Sequence, residues 1–250
     1  MRQTEKTAIV LRYANYRDND RMLTLFSPTR GRIDANSRGC RKARSPLLNA
    51  SELFALGDFE LFEKNGRYTV TGASLIETFY PLREDYDRLS CGVWLLNLCE
   101  AAIQPNQPDQ PLFMLLLHTL SRLTFSDQPW PPLLTGFLAH FAQVEGFRPR
   151  LRHCARCGRR LPADQPCFWF DHTGGGAVCP DCRKPGDPPV TPAQLAWLEG
   201  VLEKPASGWT DPENTAAPFQ LMRAYVEQRL DRRIASAAAL PQVRHTPADR

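Results

Sequence analysis

The segment Phe59-Glu-Leu-Phe-Glu-Lys-Asn-Gly-Arg-Tyr-Thr-Val-Thr71 decides the fold of the N-terminal part of the chain. Asn65-Gly66 is a strong signal for a two-residue β-hairpin turn between two strands. Upstream, polar turns separate three further strand-like segments, namely Thr7–Tyr13, Arg21–Phe26 and Arg32–Ala35. About five short strands within residues 1–80 predict a small β-barrel. The strand count fits an OB fold and does not by itself exclude an SH3-like barrel.

Two cysteine pairs indicate a metal site further along the chain. They are Cys154-Ala-Arg-Cys157 and Cys179-Pro-Asp-Cys182, with 21 residues between them. Each Cys-x-x-Cys turn directs two sulfurs to one point, and two such turns supply the tetrahedral sulfur set that zinc prefers. Four thiolates leave no open position for a catalytic water, so we interpret the site as structural zinc. The alternatives are disulfides, which belong to oxidising compartments, and a ribbon that has lost its metal.

The remaining patterns predict helices on either side of this cysteine module, which we place at residues 148–190. Residues 81–147 predict a helical domain, and residues 191–240 predict C-terminal helices that pack on it. Residues 241–250 predict a disordered tail. The predicted fold class is therefore α+β, with an N-terminal OB-fold β-barrel followed by a helical domain that carries an inserted four-cysteine, zinc-ribbon-like module.

Local signals place particular helix faces and ends. The first helix of the chain is predicted to bury a face formed by Tyr86, Leu89, Val93, Leu96 and Ile103. A later helix is predicted to end at Gly146. Thr191-Pro-Ala-Gln194 is a capping box that begins another helix. The last amphipathic helix is predicted to run from about Phe219 to Ile234.

Basic residues are concentrated in two segments, although the net charge is only +4. Residues 30–44 hold six bases and one acid, and residues 147–160 hold six arginines and no acid. Such clusters raise local affinity for phosphate far more than the mean charge implies. The alternatives are solvated surface, or, for the second segment, contacts between domains and ion pairs with the carboxylates of residues 84–87. The predicted DNA-binding residues are Arg30, Arg32, Arg38, Arg41, Lys42, Arg44, Arg148, Arg150 and Arg152.

Aromatic side chains on a barrel offer stacking surfaces for nucleic-acid bases. Four aromatic residues of the N-terminal segment are candidates, with core packing as the alternative for each: Tyr13, Tyr16, Phe26 and Tyr68.

The sequence offers little for catalysis or for membrane insertion. The acids are scattered, the densest group at Glu84, Asp85 and Asp87 is interpreted as a helix start, and no histidine pair has ligand spacing. We predict no catalytic residues and no enzyme, with a nucleic-acid-processing enzyme or a generic DNA-binding scaffold with a zinc ribbon as alternatives. No apolar run approaches the ~18 residues that span a membrane. We therefore expect a soluble, cytoplasmic protein.

Several motifs stand in a particular order along nearly the full chain, namely Ala8-Ile-Val-Leu11, Arg17-Asp-Asn-Asp20, Leu25-Phe-Ser-Pro-Thr-Arg-Gly31, Ser37-Arg-Gly-Cys-Arg-Lys42 with Ser45, Gly146-Phe-Arg-Pro149, both cysteine pairs and Met222-Arg-Ala-Tyr225 through Leu230. Their order and spacing together resemble the RecO family of bacterial recombination mediators. Cys40 stands where that family more often has alanine, and some of its members lack the cysteines.

This resemblance implies an OB fold, a helical domain, a zinc module and a role without catalysis in repair of DNA damage. RecO-like proteins bind single-stranded and double-stranded DNA and anneal complementary strands. They act on DNA covered by single-strand binding protein (SSB), whose C-terminal tail is an implied partner. With RecR they help to load RecA, which implies RecR as a direct partner and RecA as an indirect one. The implied location is the cytoplasm, in association with the nucleoid.

Overall fold

Five strands close into a barrel in the N-terminal part of the chain. They are hydrogen-bonded in the order β1-β2-β3-β5-β4, with β4 paired back to β1. The β3–β5 pair is parallel and the other four pairs are antiparallel. This is the OB-like barrel that the sequence predicts. The strands are β1 (Arg2–Tyr16), β2 (Asp20–Ser27), β3 (Gly31–Ser37), β4 (Leu56–Lys64) and β5 (Arg67–Glu77).

The hairpin between β4 and β5 turns at Asn65-Gly66, as predicted. Both residues have positive φ, 51° and 72°, which is the backbone of a type I′ turn. Lys64 pairs with Arg67 across it. Alternate residues along the strands then point into the barrel, where they form one apolar core that includes Val10, Leu23, Leu25, Ile33, Ala35, Phe59, Leu61 and Val70.

Two helices, α1 (Tyr86–Ala102) and α2 (Gln110–Phe125), pack on the outside of the barrel. The rings of Phe26 on β2 and Phe113 on α2 meet edge to face with centroids 5.3 Å apart. The linker between the helices binds the β2–β3 turn through two backbone hydrogen bonds, Arg32 N to Gln104 O at 3.1 Å and Asp109 N to Pro28 O at 3.2 Å. One end of the outer β2–β3 surface is therefore covered.

The second part of the chain contains α3 (Trp130–Val144), β6 (Phe168–Asp171), β7 (Gly176–Val178), β8 (Pro189–Val190), α4 (Pro192–Glu203) and α5 (Ala216–Arg229). The end of α3 at Gly146, with φ +81°, and the capping box of α4 are as predicted. The last helix is shorter than predicted, because Asp231 has a positive φ of 49° and the chain leaves the helix after Arg229. Ile234 is nevertheless buried.

The computed structural model describes residues 2–204, 209 and 216–241, and these group into two units that divide between Phe125 and Ser126. The segment boundaries predicted from the sequence stay a prediction. The predicted disordered tail lies, apart from Pro241, outside the described residues. Among the helices of the described residues, none combines the length and the apolar character needed to cross a membrane.

Candidate metal centre and nucleic-acid interface

The four cysteines of the two pairs come together at one point in the second unit. Their Sγ atoms all lie within 4.8 Å of one another, and the Sγ atoms of Cys157 and Cys179 are 3.8 Å apart. None of the eight cysteines, all of which lie within the described residues, forms a disulfide. The geometry and the donor set fit a metal ion held by four sulfurs.

Local backbone hydrogen bonds shape both cysteine turns. Gly158 N donates to Cys154 O at 2.9 Å, and Gly158 has a φ of +74°, a conformation that glycine adopts without steric cost. Cys182 N donates to Cys179 O at 3.0 Å in the second turn. The two turns are joined where Cys179 N donates to Cys154 Sγ at 3.5 Å.

Two thiols of the site, Cys154 and Cys182, have strongly displaced pKa values. Burial raises the pKa of Cys154, but backbone hydrogen bonds, led by that from Cys179, outweigh burial and lower the pKa to about 6. Hydrogen bonds with Cys179 and Cys157 raise the pKa of Cys182 to about 12. A thiolate is thus favoured at Cys154 and disfavoured at Cys182. Several negative sulfurs so close together would also repel one another. A divalent cation would remove that repulsion.

Arg156, inside the first pair, forms a largely buried ion cluster beside the sulfurs. Its guanidinium contacts Asp171 at 2.9 Å and Asp187 at 2.6 Å, and it donates to Cys182 O at 2.6 Å. The hydrogen bond from Arg156 holds the pKa of Asp187 below its usual value. Arg156 therefore binds the second cysteine turn, and the loop after it, to the first turn. Sequence reasoning counted this arginine only as part of a basic run.

Three further residues near the cysteine pairs could bind a metal by their chemistry, namely Cys167, His153 and His172, but they lie outside the sulfur cluster. The Sγ of Cys167 donates to Phe168 O at 3.1 Å. Neither His153 nor His172 belongs to the group of converging ligand atoms in the described residues. The ring of His172 packs on Phe170, with centroids 5.3 Å apart, and burial lowers its pKa.

The segment 38–44 forms a loop at one end of the barrel, and its backbone is fixed. Gly39 N donates to Asp20 Oδ1 at 2.8 Å, Arg41 N donates to Asn19 O at 3.0 Å, and Cys40 is fully buried in the barrel core. Its four basic side chains, Arg38, Arg41, Lys42 and Arg44, are exposed. Arg41 donates to Asp18 O at 3.1 Å. The side chains of the other three form no hydrogen bond or ion pair with any described residue.

Arg30 and Arg32 lie at the opposite end of β3 from this loop. Arg38, directly after β3, is six positions along the extended chain from Arg32, a distance of about 20 Å. Arg32 forms an ion pair with Asp34 at 3.0 Å, and Arg30 donates to the hydroxyl of Tyr68. The six bases of residues 30–44 therefore do not form one patch.

The arginines before the cysteines pair with acids on α4. Arg148 contacts Glu199 at 3.2 Å, and Arg152 contacts Glu199 at 3.0 Å and Glu203 at 2.5 Å. Arg150 is exposed. Sequence reasoning missed these acidic partners, although Glu199 and Glu203 are four residues apart and so share one helix face. A DNA contact by Arg148, Arg150 and Arg152 stays a prediction.

The four candidate aromatics differ in accessibility. Phe26 is fully buried against α2. The ring of Tyr13 lies under the guanidinium of Arg21, whose Cζ is 3.9 Å from the ring centroid, and both Tyr13 and Tyr68 pack against the barrel core. Tyr16 is 43% exposed. Of the four, Tyr16 presents the most open ring.

The acids at residues 84–87 serve the start of α1. Asp85 is the N-cap of α1, and its Oδ1 accepts a hydrogen bond from Arg88 N at 3.0 Å. This is the helix start that the sequence indicates, and it uses the carboxylate to satisfy a backbone donor.

Family comparisons agree with this architecture. The family model described as Recombination protein O N terminal matches residues 1–79, and the model described as Recombination protein O C terminal matches residues 83–238. The chain belongs to the RecO family. The predicted resemblance is thereby confirmed along nearly the whole sequence.

Individual RecO relatives extend this similarity. The chain is 31% identical over 252 residues to the DNA repair protein RecO of Anaeromyxobacter sp. strain K, covering 97% of this chain and 98% of the relative. It is 32% identical over 238 residues to the DNA repair protein RecO of a Nocardioides species, covering 92% and 96%. The DNA repair protein RecO of Alkaliphilus metalliredigens is 34% identical over 174 residues, covering 70% of each chain.

Proposed function

We propose that this RecO-family protein binds DNA without catalysis, anneals complementary single strands and, with RecR, helps to load RecA onto SSB-covered single strands. The observation that carries the proposal is the loop 38–44, whose backbone is fixed while its cationic side chains point into solvent. Membership of a family of DNA repair proteins supports the choice of DNA as the polyanion. The location we propose is the cytoplasm, at the nucleoid.

The charge of this loop suits the physical problem of annealing. Two complementary strands repel each other until cations neutralise part of their phosphate charge. Arg38, Lys42 and Arg44 have no competing acidic partner among the described residues, so their charges are available to phosphates. Because these contacts are to the phosphate backbone of DNA, binding should depend only weakly on base sequence. It should include both single-stranded and double-stranded DNA.

We also propose that the metal is structural zinc, held by Cys154, Cys157, Cys179 and Cys182. Zinc–sulfur bonds of ~2.3 Å in a tetrahedron place sulfurs about 3.8 Å apart, which agrees with the 3.8 Å between Cys157 and Cys179. A shell closed by four cysteines supplies folding energy to the module and no chemistry to a substrate.

The remaining partners follow from the proposed role. Duplex DNA, RecR and the C-terminal tail of SSB are the proposed direct partners, and RecA is the indirect one. Acidic SSB tails would be attracted to cationic surface through charge complementarity.

A strand-annealing assay tests this function. Two complementary labelled oligonucleotides, coated with the matching SSB, are mixed with the zinc-loaded protein in the absence of nucleotide. We expect pairing to accelerate without ATP and the acceleration to fade as salt rises. A variant with Arg38, Lys42 and Arg44 replaced by alanine should anneal more slowly.

Two results would contradict the proposal. Absence of DNA binding at moderate salt by zinc-loaded protein would remove the nucleic-acid role. Binding without acceleration of annealing would reduce the protein to a DNA-binding scaffold.

A further inference from the structure

Arg156 is the third residue of the first cysteine pair, and its guanidinium reaches across to the second cysteine turn and to β6. Its Nε lies 2.9 Å from Asp171 Oδ2. Its Nη1 and Nη2 donate to the two carboxylate oxygens of Asp187 at 2.6 and 3.1 Å. Nη1 also donates to Cys182 O at 2.6 Å. All three nitrogens of the planar guanidinium are thus engaged. We call Arg156, Asp171 and Asp187 the Arg156 cluster.

The Arg156 cluster is shielded from water and is fixed by backbone donors. The side chains of Arg156, Asp171 and Asp187 are 19%, 12% and 10% exposed. Gly174 N donates to Asp171 Oδ1 at 2.8 Å. Lys184 N donates to Asp187 Oδ2 at 2.7 Å. Because the guanidinium is enclosed by these groups, its charge serves the interior of the cysteine module and is not presented to DNA phosphates.

The second cysteine turn is joined to the first at both of its ends. At the start of the turn, Cys179 N donates to Cys154 Sγ at 3.5 Å. At its end, Cys182 N donates back to Cys179 O at 3.0 Å, which shapes the turn but does not fix its distance from the first pair. The hydrogen bond from Arg156 to Cys182 O fixes that distance, because Arg156 belongs to the first pair.

A second ion pair crosses between the same two turns at the surface. Arg159 Nη1 lies 3.0 Å from Asp181 Oδ2, and the two side chains are 68% and 73% exposed. Arg159 follows the first cysteine pair, and Asp181 lies inside the second. Water screens an exposed pair of this kind, so it contributes little to stability. The chain therefore contains two arginine–aspartate bridges between the same turns, one largely buried and one exposed.

We propose that Arg156 is a positioning residue of the metal site, which holds Cys182 and its turn in the metal-binding arrangement without being a ligand. This inference rests on the proposed zinc site and deepens it. Bringing four thiols to one point has an entropic cost, and order that exists before the ion binds reduces that cost. Arg156 supplies this order at Cys182, the last of the four cysteines along the chain.

Metal titrations of the full chain test this role. Metal-free protein is titrated with Co²⁺, whose absorption bands report thiolate coordination, and Zn²⁺ is then added to displace it and to give the Kd for zinc. Arg156→Ala should weaken zinc binding about 10- to 100-fold, which is the usual effect of losing a residue that orients a ligand. The cobalt spectrum at saturation should not change, because all four sulfurs remain.

Asp187→Ala separates positioning from charge. Four thiolates around one divalent ion carry a net negative charge, so a nearby carboxylate disfavours metal binding. If charge alone mattered, Asp187→Ala would tighten zinc binding and Arg156→Ala would weaken it. Positioning predicts the same sign for both, since Asp187 accepts two hydrogen bonds from Arg156. We expect both variants to bind zinc more weakly than the wild type.

Arg159→Ala and Asp181→Ala are the matched controls. They remove the same charges from a bridge between the same two turns, but the bridge is exposed, so zinc affinity should stay within about threefold of wild type. Arg156→Lys retains the charge without the planar fork and should still bind zinc more weakly. Unchanged hydrogen exchange in the barrel strands shows that the first unit is folded in each variant.

The outcomes distinguish this inference from the metal site on which it rests. Wild-type protein that binds neither Co²⁺ nor Zn²⁺ overturns both. Wild-type binding with unchanged affinity in Arg156→Ala, tighter binding in Asp187→Ala, or an equal loss in Arg159→Ala overturns the positioning role and leaves the zinc site intact. If Arg156→Ala binds no metal at all, Asp187→Ala decides: weaker binding with the wild-type cobalt spectrum supports positioning, and unchanged binding overturns it.

Discussion

Single arginines and lysines in this protein differ in what they can bind, because some already have acidic partners. Arg32, Arg148 and Arg152 are held in ion pairs, and Arg156 is largely buried between Asp171 and Asp187. The exposed cations of the loop 38–44 include three whose side chains have no partner among the described residues, namely Arg38, Lys42 and Arg44. A count of basic residues does not distinguish these side chains, whereas their hydrogen-bond and ion-pair partners do.

This difference predicts distinct salt effects for two sets of substitutions. Replacing Arg38, Lys42 and Arg44 by alanine should reduce the slope of log K against log salt for single-stranded DNA by about 2, since each phosphate contact contributes roughly 0.7. Arg32→Ala is the control, because Arg32 is paired with Asp34 and lies about 20 Å away along β3. Titrations with oligo(dT) at several salt concentrations measure this slope for both variants. An equal change of slope in Arg32→Ala would mean that its ion pair opens to bind DNA.

Elements of the fold were predictable where a local signal defines them. Asn65-Gly66 requires two positive φ angles, Thr191 and Gln194 satisfy each other's backbone donors, and Gly146 ends α3. Each of these signals acts within a few residues, so it does not depend on the rest of the molecule. The same holds for the two cysteine turns.

The orientation of α1 was not predictable in this way. The predicted face included Tyr86, which is 71% exposed, while Trp94, Leu95 and Leu98 are fully buried. α1 packs against both β1 and α2, so apolar residues lie around most of the helix. Their spacing therefore does not show which face of the helix is the most buried. The pairing of Arg148 with Glu199, 51 residues later, likewise depends on tertiary packing. The sequence therefore predicts which residue types form the candidate sites, but not which residues they pair with in the folded protein.

The covered end of the β2–β3 turn leads to a prediction about two glycines. Gly31 and Gly66 have similar φ angles, +66° and +72°, but a Cβ on Gly31 would overlap Gln104 O and Gln107 O of the α1–α2 linker, whereas a Cβ on Gly66 meets nothing within 4 Å. Gly66→Ala should lower the free energy of unfolding by about 1 kcal/mol, from the backbone conformation alone. Gly31→Ala should lower it by about 3 kcal/mol, because overlap adds to that cost.

Urea unfolding of the full chain measures both variants, and hydrogen exchange in the β2–β3 peptides assigns the loss to the barrel. Equal effects of the two substitutions would mean that the linker moves aside at little cost. In that case the end of the barrel near Arg30 would be accessible, which would support the predicted contact of Arg30 with DNA.

Over the whole molecule, the two features that define the protein lie in different units. The cationic loop, residues 38–44, belongs to the unit that ends at Phe125, and the four cysteines of the metal site belong to the unit that begins at Ser126. The loop contains none of the four cysteines, and the cysteine site contains no residue of the loop. If zinc is structural, as proposed, its removal should change the second unit and leave DNA binding by the first intact. The segment with Arg148, Arg150 and Arg152 is the exception, because it leads directly into the metal site.

Metal removal therefore tests whether the second unit contributes to DNA binding. In Cys179→Ser, or after chelation, we expect faster hydrogen exchange over residues 154–182, because the module loses its metal, while Kd for oligo(dT) stays within about twofold. Cys167→Ser is the matched control, since Cys167 lies in the same module outside the sulfur cluster. A loss of affinity that zinc restores in the chelated protein would place the arginines before Cys154 in the DNA-binding site. An unchanged affinity would restrict that site to the barrel and leave Arg148 and Arg152 with a structural role, as partners of Glu199.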